Sequence, residues 1–534
     1  MSQNFRNKAV LVVDDFQNMR STLKRMLQSI GVDEVDLAAN GREALERMAH
    51  RNYDIVLCDY NLGDERDGQQ VLEEAKYHRM IGPATIFVMI TAENTMEMVM
   101  GAIECRPDDY LAKPFNKDLL KKRLERLLEK KDDLHAIDDA IDKKELSRAV
   151  TLCDERIAKK PRNINELQKL KTDLLIEMGD LERAEQTCME VLAHRNLPWA
   201  RLALGRIRFL SEQYPEACDI LQQLIDEHRT QTEAYDLLAK CLRRQNRDGE
   251  AQEVLTSAVK LSPRAIRRQE TLGKLADQNG DFTTAEHAYR RAVALGRHSV
   301  YRSAAHYTGL AKAQRHTTSG REAAKTLERL RKDFKGDTSA LLQAAMAESD
   351  LHRANGRMDL ARSTFEEATQ LFESAGGTLS PETTIEMGKQ FLVFGEKEKG
   401  LALVQDVVRN HHENQELRGV AQEAFKEAGL EEGNRLVDDA HREVVKLNNE
   451  GVALFKAGKL HEAIELFEKA AERLPENRTV NLNTALVMLK RAQREKRADD
   501  AALGRIRQYL ERAGKSDPGN RTYRELRQLY ESLR

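Results

Sequence analysis

The chain has 534 residues, which at ~150 residues per domain points to about three or four domains unless repeats dominate. Lys and Arg number 86 against 88 Asp and Glu, a net charge of −2, so the chain lacks the basic excess that a general nucleic-acid binder needs to displace counterions. Aromatic content is 5% and prolines number 10, which excludes a large all-β domain and favours helix.

The first residues, 1–8, are polar and carry no apolar signal-peptide core. The longest apolar run, 84–92, is about half a membrane span. These features predict a soluble cytoplasmic protein with no membrane insertion. The six cysteines form no CxxC pair and no His cluster completes a zinc site, so they read as reduced packing groups.

Short apolar runs at 9–13, 35–39, 55–58, 84–90 and 110–112 alternate with amphipathic stretches at 18–30, 41–50, 68–78, 95–104 and 117–130. Five such β/α repeats predict a doubly wound parallel sheet with helices on both faces. Polar residues stand at the ends of these runs. Asp14 and Asp15 follow the first, Asp59 the third, Thr91 the fourth and Lys113 the fifth. In an open parallel sheet, ligands bind at the carboxyl ends of the strands where the order reverses. With order 2-1-3-4-5, the three carboxylates converge there. An all-oxygen donor set with room for water suits Mg²⁺ rather than zinc. Lys113 is a point charge for a phosphoryl oxygen and Thr91 a hydroxyl donor to another. A carboxylate nucleophile forming an acyl phosphate is the natural chemistry of such a set. Any one of these residues alone would read as a cap or a turn; their equivalent placement argues for a site.

Asp14-Asp15, Asp59, Thr91-Ala92-Glu93 and Tyr110-x2-Lys113-Pro114-Phe115 together resemble the receiver domain of bacterial two-component response regulators, over residues 8–130. The resemblance implies that Asp59 is the phosphoacceptor. It implies that Asp14, Asp15, Asp59 and the main-chain carbonyl of Asn61 surround Mg²⁺. It implies that Thr91 and Lys113 hold the phosphoryl group, that a cis peptide bond precedes Pro114, and that Tyr110 turns inward on activation. The stretch 62–68 departs from the family: it lacks the usual proline and counts one residue longer. That leaves the site intact and bears on the loop geometry and phosphoryl lifetime, as Asn61 and Glu93 bear on water access.

Beyond residue 130 no strand pattern survives. Ala217, Ala251 and Ala285 recur every 34 residues, with flanking Gly205, Ala239 and Gly273 in phase. The clearest copy places Gly451, Leu454, Gly458, Ala463, Phe467, Ala470 and Pro475 in order. This pattern resembles the tetratricopeptide repeat. Further units carry Ala149, Gly179 with Ala184, Gly356 with Phe365, and Gly388 with Gly400, while those near Ala323 and Gly433 are weaker; 491–500 reads as an insertion. The expected organisation is a receiver at 1–130 fused to an all-α repeat superhelix at 131–534, with roughly ten or eleven units and an end helix at 523–533. Trp199 reads as a packed residue beside Pro198, and the arginines at 243–247 as solvated surface. From Phe115 to Lys160 there is no Gly or Pro, so the receiver's last helix is expected to run into the repeats.

The repeat region carries no Gly-rich phosphate loop, nucleophile elbow or HExxH. The expected function is a phosphorylation-controlled response regulator with a protein-binding scaffold as output. No enzyme activity is expected beyond the receiver's own aspartyl phosphotransfer and autodephosphorylation. The expected partners are a sensor histidine kinase or phosphotransfer protein and a protein or peptide in the repeat groove, without nucleic acid. A constitutive scaffold with a vestigial receiver, or a transcriptional regulator, are the alternatives.

Overall fold

The computed structural model describes residues 5–63, 65–92, 104–376, 379–495, 500–516 and 520–533. The fourth amphipathic stretch and Glu93 fall largely or wholly outside them. The chain divides into two compact units, Met1–Ser319 and Gly320–Arg534.

The first unit opens with β1 (Ala9–Val13), α1 (Gln17–Ser29), β2 (Glu34–Ala38), α2 (Gly41–His50), β3 (Ile55–Asp59), α3 (Gly68–Tyr77), β4 (Ile86–Thr91) and β5 (Asp109–Ala112). The strands form one parallel sheet of order β2-β1-β3-β4-β5, the order read from the sequence. Alternate side chains of each strand feed opposite faces. Val10, Val12, Ile55, Leu57, Ile86 and Val88 pack with Leu23 and Leu27 of α1. Leu11, Val13, Val56, Phe87 and Met89 pack with Leu45 of α2 and Val71 and Leu72 of α3. Both faces are therefore dry, which is why the strands read as continuous apolar runs. The helix starts are set by local chemistry. Asn40 accepts the Glu43 amide at the start of α2, and Asp67 and Gln70 form a reciprocal capping box at α3.

Next comes α4 (Lys117–Asp142), an uninterrupted helix of 26 residues. Its first half packs on the sheet through Leu120, Leu124 and Leu127, and its second half on the repeats through Ile137 and Ala140. The unit continues as paired helices, α5 (Leu146–Ala158) to α14 (Ala304–Thr317), among them α8 (Pro198–Leu210), α9 (Tyr214–Glu227), α10 (Thr232–Arg244), α11 (Asp248–Leu261), α12 (Ile266–Gln278) and α13 (Phe282–Gly296). The compact unit thus extends well past residue 130. Ala217, Ala251 and Ala285 are fully buried, each on the second helix of its pair. The in-phase glycines fit the same geometry. A Cβ on Gly205 would lie 2.8 Å from Leu221, and one on Gly273 would lie 3.0 Å from the Tyr289 ring. Trp199 is half-buried in the first turn of α8, beside Pro198. All six cysteines are free thiols, and five of them are buried.

The second unit, by itself, is helical from α15 (Gly320–Asp333) to α25 (Arg521–Leu533). The weak unit near Gly433 has a structural reason. Its helix does not turn; α21 (Gly433–Lys456) runs on for 24 residues into the phase of the Gly451 unit. That helix packs on α22 (Leu460–Arg473), where a Cβ on Gly451 would overlap the buried Phe467 ring. Of the expected insertion at 491–500, residues 491–495 end the helix Arg478–Glu495 and Asp500 opens the helix Asp500–Ser516, while 496–499 lie outside the described residues. Among the described residues, no helix is long and apolar enough to cross a membrane.

Gly451→Ala should destabilise the second unit by about 1–3 kcal/mol through overpacking against Phe467. Gly419→Ala, in a helix position with open space around it, should stabilise by roughly 0.5–1 kcal/mol. Chemical denaturation of the two variants, followed by circular dichroism, checks both signs.

Candidate functional site

The parallel ladders extend one step beyond the strands and bring their ends level. The Asp14 amide donates to the Ala38 carbonyl, the Tyr60 amide to Ile90 and the Lys113 amide to Thr91, at 3.2, 2.8 and 2.7 Å. Because Val13 pairs with Cys58, Asp14 stands beside Asp59. Asp14, Asp15 and Asp59 each present a carboxylate oxygen, all within 4.8 Å of one another. Lys113, behind a cis Lys113–Pro114 bond, reaches across from the end of β5. Its Nζ donates to Asp14 Oδ2 at 2.9 Å and to Asp59 Oδ2 at 3.0 Å. Thr91, also buried, ends β4 on the Lys113 side.

Asp14 is 1% exposed and Asp59 6% exposed, so both carboxylates are largely out of water. Burial pushes the Asp59 carboxyl up to about 6, against the downward pull of Lys113, and the neighbouring Asp14 adds to the rise. For Lys113, burial opposes the charge, but hydrogen bonds to the two carboxylates outweigh it and raise the ammonium. Asp15 Oδ1 is buried without a hydrogen-bond partner among the described residues. An orphaned carboxylate oxygen within an all-oxygen cluster fits a hard divalent cation.

Two contributors were not foreseen from sequence. Arg20 Nη1 on α1 donates to the main-chain carbonyls of Asp14 and Asp15 at 2.6 and 2.9 Å, fixing the turn that aims both carboxylates. Only its place on the first turn of a helix beginning behind the aspartates could have signalled it. The second is Asp67, the α3 cap, whose carboxylate pairs with Arg264 of the repeats. Of the expected set, Asn61 is exposed beyond β3. Tyr110 packs against the α2–α3 core face with its hydroxyl buried and unpartnered among the described residues.

Since burial raises Asp59, ionising it costs the fold. Stability from the neutral form is fully present below the ordinary carboxylate value and lost as pH rises through about 6. Carboxyl-detected NMR of the metal-free protein should show Asp59 titrating near pH 6, and higher still in Lys113→Met, which removes the cation that lowers it.

Residues 10–125 match the response regulator receiver domain, and residues 175–241, 270–319 and 445–477 match tetratricopeptide repeat models. The transcriptional regulatory protein ZraR of Escherichia coli O157:H7 is 37% identical over 122 residues, covering 23% of this chain and 26% of ZraR. The chain therefore matches about a quarter of that relative's length. Chemotaxis protein CheY-3 of Vibrio cholerae is 29% identical over 125 residues, covering 23% of this chain and 95% of CheY-3. A crystal structure of the response regulator protein TrrA of Thermotoga maritima, in complex with Mg²⁺-BeF, is 34% identical and covers 23% of this chain and 99% of TrrA, at TM-score 0.21. The chain carries a response regulator receiver domain followed by tetratricopeptide repeats.

Proposed function

We propose that the protein is a phosphorylation-controlled response regulator of a two-component phosphorelay, with the repeats as a protein-binding output. The observation that carries this reading is the cluster of Asp14, Asp15 and Asp59, with Lys113 bridging two of them. Asp59 is the phosphoacceptor. One of its carboxylate oxygens attacks phosphorus, the P–N bond of a donor phosphohistidine breaks, and an acyl phosphate P–O bond forms. Hydrolysis of that acyl phosphate by water returns the carboxylate and releases phosphate. The donor is a sensor histidine kinase or phosphotransfer protein.

Asp14, Asp15 and Asp59, with the Asn61 carbonyl, are the residues that would hold Mg²⁺, which when bound supplies charge neutralisation for the phosphoryl oxygens. Lys113 exchanges its bond to Asp59 for one to a phosphoryl oxygen, and the Thr91 hydroxyl donates to another. Tyr110 fills the space behind Thr91. The receiver occupies 1–130 and the output 131–534, and the protein acts in the cytoplasm. The near-neutral charge supports a protein rather than a nucleic-acid ligand for the repeats.

Acetyl phosphate with Mg²⁺ should label the native protein and leave Asp59→Asn unlabelled. Asp15→Ala should lose Mg²⁺ affinity and labelling together, because one direct ligand is gone. Labelling of Asp59→Asn at the native rate would overturn the assignment, and a native protein that takes no label would favour a constitutive scaffold.

A further inference from the structure

The second unit contains a seam that the repeat pattern does not foresee. Because α21 runs on without a turn, it carries two blocks of helices on one shaft. Its Val437 and Ala440 pack with Val407 of α19 (Lys397–Asn410) and Phe425 of α20 (Gln415–Glu427). Val444, one turn further on, packs instead with Phe467 of α22 and Val480 of α23 (Arg478–Glu495). The α19–α20 turn thereby meets the α22–α23 turn, and His412 of the first touches Asn477 of the second, 65 positions away along the chain.

The seam is polar. Asn477 is fully buried and held in one orientation: its Oδ1 accepts the Val480 amide at 3.0 Å, and its Nδ2 donates to the Arg409 carbonyl at 2.6 Å. The same Nδ2 lies 3.0 Å from His412 Nδ1. An amide nitrogen only donates, so that ring nitrogen accepts and the His412 imidazole is neutral. Turning the amide over would lose the Val480 cap and set Oδ1 against the Arg409 carbonyl. Two further histidines border the seam and differ in this respect. His441 Nδ1, from α21, donates to the His412 carbonyl at 3.0 Å, a bond that a second proton on the ring leaves in place. His411 Nε2 lies 3.5 Å from Glu476, a pair that a proton strengthens. Glu413 pairs with Arg478 and Thr479, and Arg409 with Glu443. Burial holds the His412 imidazole below its ordinary value, Glu413 pulls the other way, and the charges of His441, Arg418 and Arg478 add to the depression.

We infer that this seam is an acid-sensitive hinge within the repeats: a proton on His412 Nδ1 expels Asn477 and frees the two blocks to pivot about α21. Closed, the seam has no room for two hydrogens facing each other between His412 and Asn477, and a buried imidazolium without an acceptor is costly. Open, both groups return to water. Opening therefore takes up one proton. The native imidazole titrates below the free one, so its contribution to closure is fully present above the ordinary imidazole value and is lost as pH falls through the depressed one. The apolar clusters on either side take no part in this exchange, so each block keeps its own packing. The pose between the blocks, and with it any surface they present jointly, becomes a function of pH.

The test is hydrogen–deuterium exchange on the full chain from about pH 7.5 to about pH 5, corrected for the intrinsic pH dependence of exchange. Protection in peptides spanning the two turns should fall by up to about tenfold per pH unit below the ordinary imidazole value, while peptides from the middle of α20 and α22 keep theirs. His412→Gln, whose side-chain oxygen still accepts from Asn477 but does not titrate, should hold the seam closed across the range. Asn477→Asp sets a carboxylate against His412 Nδ1 and should reverse the sign, with acid protecting the seam. Seam protection that is flat with pH in the native chain would overturn the hinge. So would a pH dependence that survives in His412→Gln, which would assign it to another group. Loss of protection in α20 and α22 in step with the seam would also overturn it, as unfolding of the unit. Where His412→Gln does not fold, Asn477→Asp decides alone: opening in acid as in the native chain overturns the proposal.

Discussion

Lys113 Nζ, held between Asp14 and Asp59, is the interaction on which the carboxyl edge of the sheet depends. Two carboxylates that are nearly out of water cannot stand side by side uncompensated. One ammonium delivered from the end of β5 makes the arrangement tolerable and still leaves Asp59 raised to about 6. The parallel ladders supply the positions, because in-register strands end level with one another and expose the residues that follow. Arg20 supplies the orientation by gripping the carbonyls of Asp14 and Asp15. The result is a compact anionic pocket bridged by Lys113.

The repeats obey a different constraint, one of volume. Tyr289 packs against Gly273 of α12 and Gly309 of α14, and any Cβ at either position would press on its ring. Ala217, Ala251 and Ala285 occupy equivalent buried positions without exposed surface. Stability in such an array accumulates between neighbouring pairs. The receiver contact borrows none of this apolar packing. It is held by Arg264, Arg268 and a few polar or aromatic edges. The long helix α4 joins the two regions, with its first half in the sheet core and its second half in the first repeat.

Much of this was legible in the residue pattern. The order of strands and helices, the acidic strand ends and the 34-residue phase all arise from local periodicity, which records the face each residue presents. The turns were less legible. The unit near Gly433 looked weak because α21 continues where a turn was expected, and nothing in its composition forbade that continuation. Arg264 and Arg268 carried no signal in the residue pattern, since a charged side chain near a repeat turn is usually solvated.

By itself, then, the sequence determined which residues could share a sheet edge and which helices would pack at 34-residue intervals. The tertiary structure alone decided that Lys113 would join Asp14 and Asp59, and that Arg264 would find Asp67, 197 positions away along the chain. The physical reason is the same in both cases. Periodicity is enforced at every turn and strand by burial, so it leaves a repeated imprint on the chain. An ion pair between distant segments is satisfied by one residue on each side and leaves no imprint until the backbone brings the two together.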